Sequence, residues 1–154
     1  MLKLILAPRE PEGLLNRNRA PAEKRAARFR YYETKQTIGS ETYALRRSRN
    51  GELTLSARTD LPFAGEEKKP LIRAALRMSA DLTPRFFSSR GITPLEIEEN
   101  TSVTVRGSQA TVFENGKLKS RVDVAGNFFT MSCYIPVATE MLLIRYWLSH
   151  GLPA

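Results

Sequence analysis

Few side chains in this sequence could carry out chemistry. There is one cysteine, Cys133, and one histidine, His150. A nucleophile–histidine–acid constellation would have to use His150, which ends the last apolar segment, and a polar or cationic side chain suits a helix C-terminus without any catalytic role. Cys133 shares an apolar strand-like side with Met131 and Ile135, where a thiol behaves as a small hydrophobe. Structural zinc takes four Cys/His ligands, so these two residues exclude a site of that kind. Glu96, Glu98 and Glu99 form an acidic cluster. Glu96 and Glu98 would lie about 6–7 Å apart on one strand face, a spacing open to an acid/base pair or a hard cation. A solvated strand face is the simpler account. No phosphate loop, dinucleotide fingerprint, zinc-protease helix motif or nucleophile elbow is present. No catalytic residue, metal site or cofactor is assigned, and the reading leans away from an enzyme.

The basic and aromatic residues say more. The net charge is +8, and residues 1–50 carry 12 Lys/Arg against 5 Asp/Glu, so most of the excess is in the first third. Such a segment attracts nucleic acid or anionic surfaces, and Arg17, Arg19, Lys24, Arg25, Arg28 and Arg30 are its candidate contacts. A solvated tail is the plainer alternative. Tyr31, Tyr43, Phe86, Phe113, Phe129 and Trp147 are candidates for lining a concave sheet that holds an apolar molecule, a lipid or a partner segment. They would serve equally as ordinary core. Aromatics interleaved with Arg30, Lys35, Arg46, Arg47 and Arg58 can also stack nucleobases, although the glycine-aromatic signature of an RNA-recognition motif is missing.

The elements that must position these residues follow from periodicity. Phe29–Lys35, Ile38–Arg47 and Leu53–Arg58 read as strands. Asn50-Gly51 predicts a two-residue type I′ hairpin that sets Leu55 opposite Arg46. Both faces then carry apolar groups, which requires either cover on both sides or a bulge that shifts the register. Residues 61–70 read as a loop. Residues 71–82 satisfy both strand alternation and a helical stripe, and the alternation is preferred. Leu95–Glu98, Val103–Val105, Ala110–Phe113, Leu118–Val124 and Phe128–Ile135 also read as strands. At Asn115-Gly116 the turn pairs Phe113 with Leu118 and Val112 with Lys119. Pro21–Arg28 suits a short helix. The longer helix spans Val137–His150, introduced by Pro136 and ended by Gly151 and Pro153.

The expected fold is mostly β: a curved antiparallel meander sheet or open barrel with one C-terminal helix packed on it. The expected organisation is a basic, partly disordered segment over residues 1–27 and a single β-rich domain over 28–154. A chain of 154 residues suits one domain. No apolar run approaches the roughly 20 residues that span a bilayer, and no secretory signal is evident, which points to the cytoplasm.

Gly39-Ser40-Glu41-Thr42-Tyr43, then Pro84, the Arg90-Gly91 turn and the later strand pairs, resemble β-rich domains of bacterial envelope proteins related in fold to the lipoprotein-carrier half-barrels. The closing Leu142–Gly151 stretch resembles the end of a module placed ahead of a larger hydrolase-type domain. The resemblance covers residues 29–154. It implies an envelope or periplasmic setting and a non-enzymatic accessory role, with an apolar ligand or a protein partner. It transfers no site residue.

Overall fold

In a computed structural model of the chain, the described residues form nine strands that follow one another in sequence order across a single antiparallel sheet, and one helix that covers one of its faces. The structure describes residues 3–4, 23–33, 36–61, 71–124, 126–132, 134 and 136–151. The strands are β1 (Lys3–Leu4), β2 (Glu23–Glu33), β3 (Gln36–Arg47), β4 (Leu53–Asp60), β5 (Leu71–Met78), β6 (Pro84–Ile92), β7 (Glu98–Arg106), β8 (Gln109–Glu114) and β9 (Lys117–Asp123), followed by helix α1 (Val137–His150). The protein is mostly β, a meander with one C-terminal helix, as its sequence pattern predicts. Among the described residues β9 does not pair back onto β1, so the sheet stays open.

Strict alternation sorts the side chains. In β4, Leu53, Leu55, Ala57 and Thr59 are buried while Ser56 and Arg58 are exposed. In β5, Ile72, Ala74, Leu76 and Met78 are buried while Arg73 and Arg77 are exposed. The helical stripe also legible in residues 71–82 loses because β4 and β6 flank this segment and pair with it along its length. Full ladders on both edges outweigh the helix preference of alanine and arginine. Leu55, Leu76, Met78 and Phe87 form the centre of the core, and Phe87 is completely shielded. Ala138, Leu142 and Tyr146 of α1 close it from above. Burying such side chains contributes roughly 1.5–3 kcal/mol each.

Five sequence expectations are corrected. Residues 23–28 form strand, not helix: β2 starts at Glu23 and pairs with β3 from Glu23↔Arg47 onward. A helix there would be polar on all sides, whereas the strand gains a ladder and buries Phe29 and Tyr31. Ordered pairing therefore begins ahead of the boundary expected at residue 27. The Asn50-Gly51 hairpin has three loop residues rather than two. Ser48 N–H donates to Glu52 O at 2.9 Å, Gly51 takes φ 87°, and Leu45 faces Leu55. The bulge puts both leucines on one side and removes the apparent two-faced pattern.

Residues 95–97 are a turn, not a strand. Glu96 N–H donates to Thr93 O at 2.9 Å and Glu96 takes φ 58°. Leu95 and Ile97 stand in solvent. The described part of 128–135 is irregular rather than strand. Phe128 N–H donates to the Tyr146 hydroxyl at 2.7 Å, so this stretch is tied to the helix instead of to β9. Beyond Asn115-Gly116, Phe113 pairs with Leu118 as expected, but a bulge after Val112 sets it opposite Ser120 instead of Lys119.

Candidate functional site

The register divides the sheet into two unlike faces. One carries Phe29, Glu41, Leu55, Leu76 and Phe87 and lies under α1. The other is open. Its most regular feature is a line of residues directly opposite one another on successive strands: Arg28↔Thr42, Thr42↔Arg58, Arg58↔Arg73, Arg73↔Arg90 and Arg90↔Asn100. Arg28, Arg58, Arg73 and Arg90 are all exposed. With strands about 4.8 Å apart, the line from Arg28 to Arg90 runs about 19 Å across five strands. A second line holds small side chains, with Ala26, Ala44, Ser56, Ala75, Ser88 and Ser102 opposite one another in turn. A third holds Lys24, Arg46, Thr54, Arg77, Phe86 and Thr104. The open face therefore has two basic ridges with a low strip between them.

A shallow, open depression of about 420 Å³ lies on this strip. Thr42, Ala44, Ser56, Arg58 and Arg73 border it, with Tyr43, Ala57 and Ala74 between them. Arg58 lies 3.9 Å from Asp60, both side chains about half exposed, and Arg28 Nη2 donates to Ser40 Oγ at 3.1 Å. Among the described residues Arg73 and Arg90 form no ion pair. Like charges set opposite each other on neighbouring strands destabilise a sheet, as at Arg58–Arg73 and Arg73–Arg90. An anion laid along the ridge offsets that cost.

Toward β6–β8 the open face becomes aromatic. The Arg77 guanidinium lies 4.7 Å from the centre of the Phe86 ring. Phe113 faces Ser102 and is half-buried on the same side. Leu118 continues the line beyond it.

The covered face holds one buried polar device. Glu41 is fully buried. Its carboxylate accepts hydrogen bonds from the Tyr31 hydroxyl at 2.6 Å and the Thr59 hydroxyl at 3.2 Å. It also accepts from the N–H groups of Val137 at 2.8 Å and Ala138 at 2.9 Å. Pro136, at the N-cap, has no side-chain cap to offer, so β3 supplies the acceptor that the helix start lacks. Burial, then Glu41, push the Tyr31 phenol far above its ordinary range. Desolvation, with the charge of Glu41, raises the Glu140 carboxyl.

The six aromatics expected to line one concavity are dispersed. Tyr31 and Tyr43 lie on the covered face, Tyr43 stacked on Phe29 at 5.3 Å. Phe86 and Phe113 lie on the open face. Phe129 packs on Tyr146 at 5.6 Å. Trp147 is 37% exposed on the outer side of α1, next to Ile144 and Leu148, and Leu142 and Tyr146 cover the core in its place. Of the expected basic contacts, Lys24, Arg28 and Arg30 fall on the open face and Arg25 on the other. Arg17, Arg19, Cys133 and residues 62–70 lie outside the described residues.

His150 stacks on Tyr146 at 4.2 Å, with Nδ1 3.0 Å from Tyr146 O, a helix-end role. Glu96 and Glu98 do not share a strand face, because Glu96 is in the turn before β7. Among the described residues no group of three His, Cys, Asp or Glu is placed to hold a metal ion, and no helix is long and apolar enough to cross a membrane.

Reading by residue type missed Glu41, Arg73 and Arg90, whereas Arg58 is among the basic residues interleaved with aromatics. Glu41 had one signal: it shares the side of Tyr43 and Leu45, where a carboxylate must find donors. Arg73 and Arg90 had none individually, because only the register aligns them with Arg58. Comparison with protein-family models, curated proteins and solved structures finds no match for this chain.

Proposed function

We propose that this chain is a nucleic-acid-binding module that receives a phosphodiester backbone across the open face of its sheet. The observation that carries the reading is the cross-strand line of Arg28, Arg58, Arg73 and Arg90. Guanidinium forks match phosphate oxygens in pairs and hold their charge at any physiological pH. The small residues beside the line leave room for the backbone to approach, and the mutual repulsion of the arginines falls as phosphates enter. The apolar-ligand reading draws less support, since its aromatics divide between the two faces and the end of the molecule.

The test is fluorescence anisotropy of a labelled oligonucleotide over a salt series. If four arginines each neutralise one phosphate, log K falls against log salt with a slope of about −2.8 on single strands, from roughly 0.7 per phosphate. Arg73→Gln lowers the slope by about 0.7 and weakens all sequences alike. Absence of binding at low salt, or an affinity that salt does not change, rejects the proposal.

A further inference from the structure

We infer that the preferred ligand is a single strand whose bases stack on the β6–β8 end of the open face; this rests on the backbone-binding reading above. Two aromatic platforms stand beside the basic ridges. One is Phe86, with the Arg77 guanidinium over its ring at 4.7 Å. Cation and ring together form a stack whose outer plane can receive a base. The other is Phe113, opposite Ser102. Phe86, on β6, pairs with Thr104, two residues along β7 from Ser102, so the two rings stand two strands and two residues apart. Strand spacing and rise then set the two platforms about 12 Å apart.

That distance is several times the ~3.4 Å rise of a stacked strand. The bases that meet the two rings are therefore splayed from an extended chain. A duplex cannot supply them, because its bases are stacked and paired inside. Stacking on partly exposed rings such as Phe86 and Phe113, combined with a basic track for the backbone, is the general device for binding single strands with little sequence preference. The small side chains of Ser88 and Ser102 separate the platforms from the ridge and leave a flat path between them.

The test compares a labelled 12-mer of thymidine with a duplex of equal length, using the full chain and the variants Phe86→Leu, Phe113→Leu and Arg73→Gln. Leucine keeps the apolar volume and removes the ring. Circular dichroism and melting of each variant verify the fold. The expected result is tenfold or greater preference for the single strand. Each leucine variant weakens single-strand binding by about tenfold, the loss of one base stack, and leaves duplex binding unchanged. Arg73→Gln weakens both ligands. Equal affinity for the two ligands, or leucine variants that bind like the parent while Arg73→Gln is weakened, overturns the stacking inference and leaves the backbone reading standing. Failure to bind either nucleic acid while binding vesicles rich in phosphatidylserine overturns both.

Discussion

Replacing Glu41 with alanine tests how the sheet holds its helix. The carboxylate is fully buried and takes four donors, two from the helix start and two from Tyr31 and Thr59. Alanine leaves the Tyr31 hydroxyl and the Ala138 N–H without partners in the interior, and an unsatisfied buried donor costs about 1–3 kcal/mol. Loss of the acceptor at the helix N-terminus belongs to the same count, at about 0.5–2 kcal/mol by itself. Together these give about 4 kcal/mol, a large share of the roughly 5–15 kcal/mol that holds a domain. At about 2–4 °C per kcal/mol for a chain of this size, the midpoint falls by about 8–16 °C.

Glu41→Gln keeps the volume and one acceptor oxygen but turns an amide N–H toward a helix donor, so about half the loss is expected, near 2 kcal/mol. Urea unfolding followed by far-ultraviolet circular dichroism measures both. A Tyr31→Phe partner isolates the coupling, because the double variant removes a donor together with its acceptor and should cost less than the sum of the singles. Glu114→Ala, at an exposed ion pair with Lys119, is the control and should change stability by less than 1 kcal/mol. If Glu41→Ala costs no more than that control, the buried carboxylate does not join sheet to helix.

Two further outcomes follow from particular backbone and charge positions. Gly91 has φ 142°, and a Cβ built there would lie 1.8 Å from Leu71 O, so Gly91→Ala must push β5 and β6 apart; a loss of several kcal/mol is expected in the same urea assay, and a neutral result refutes the close approach. The Glu140 carboxyl is raised in the fold, first by desolvation and then by Glu41. A raised carboxyl binds its proton more tightly when folded, so its ionisation opposes folding above the folded value and the penalty lifts as pH falls through it. Glu140→Gln is therefore expected to raise the midpoint at neutral pH and to match the parent at low pH; a lower midpoint at neutral pH contradicts the assignment.

The hairpins show where local sequence stops being informative. Residues 48–52, 79–83 and 93–97 share one geometry, in which the first N–H meets the carbonyl four residues on and the fourth residue takes positive φ. Gly51 announces this conformation. Leu82 and Glu96 occupy it with φ 67° and 58° and announce nothing. In these turns Ser79 Oγ donates to Asp81 and Thr93 Oγ1 accepts from Ile97 N–H, which offsets the backbone cost. Leu95–Ile97 therefore reads as strand by composition and is turn by hydrogen bonding.

Periodicity determined the mostly β class, most of the strands and the helix at Val137–His150, because alternation and apolar stripes are local properties of the chain, while the ladders to β4 and β6 decided residues 71–78. The tertiary structure decided which side of each strand meets water and which residues stand opposite one another. A shift of one position exchanges the two faces of a strand, so the three-residue loop before Glu52 and the bulges after Tyr31, Arg77 and Val112 govern the cross-strand neighbours in the pairs where they occur. The arginine line and the attachment of Glu41 to a helix start 96–97 residues away both depend on those non-local pairings. Neither can be read until the strands are set side by side.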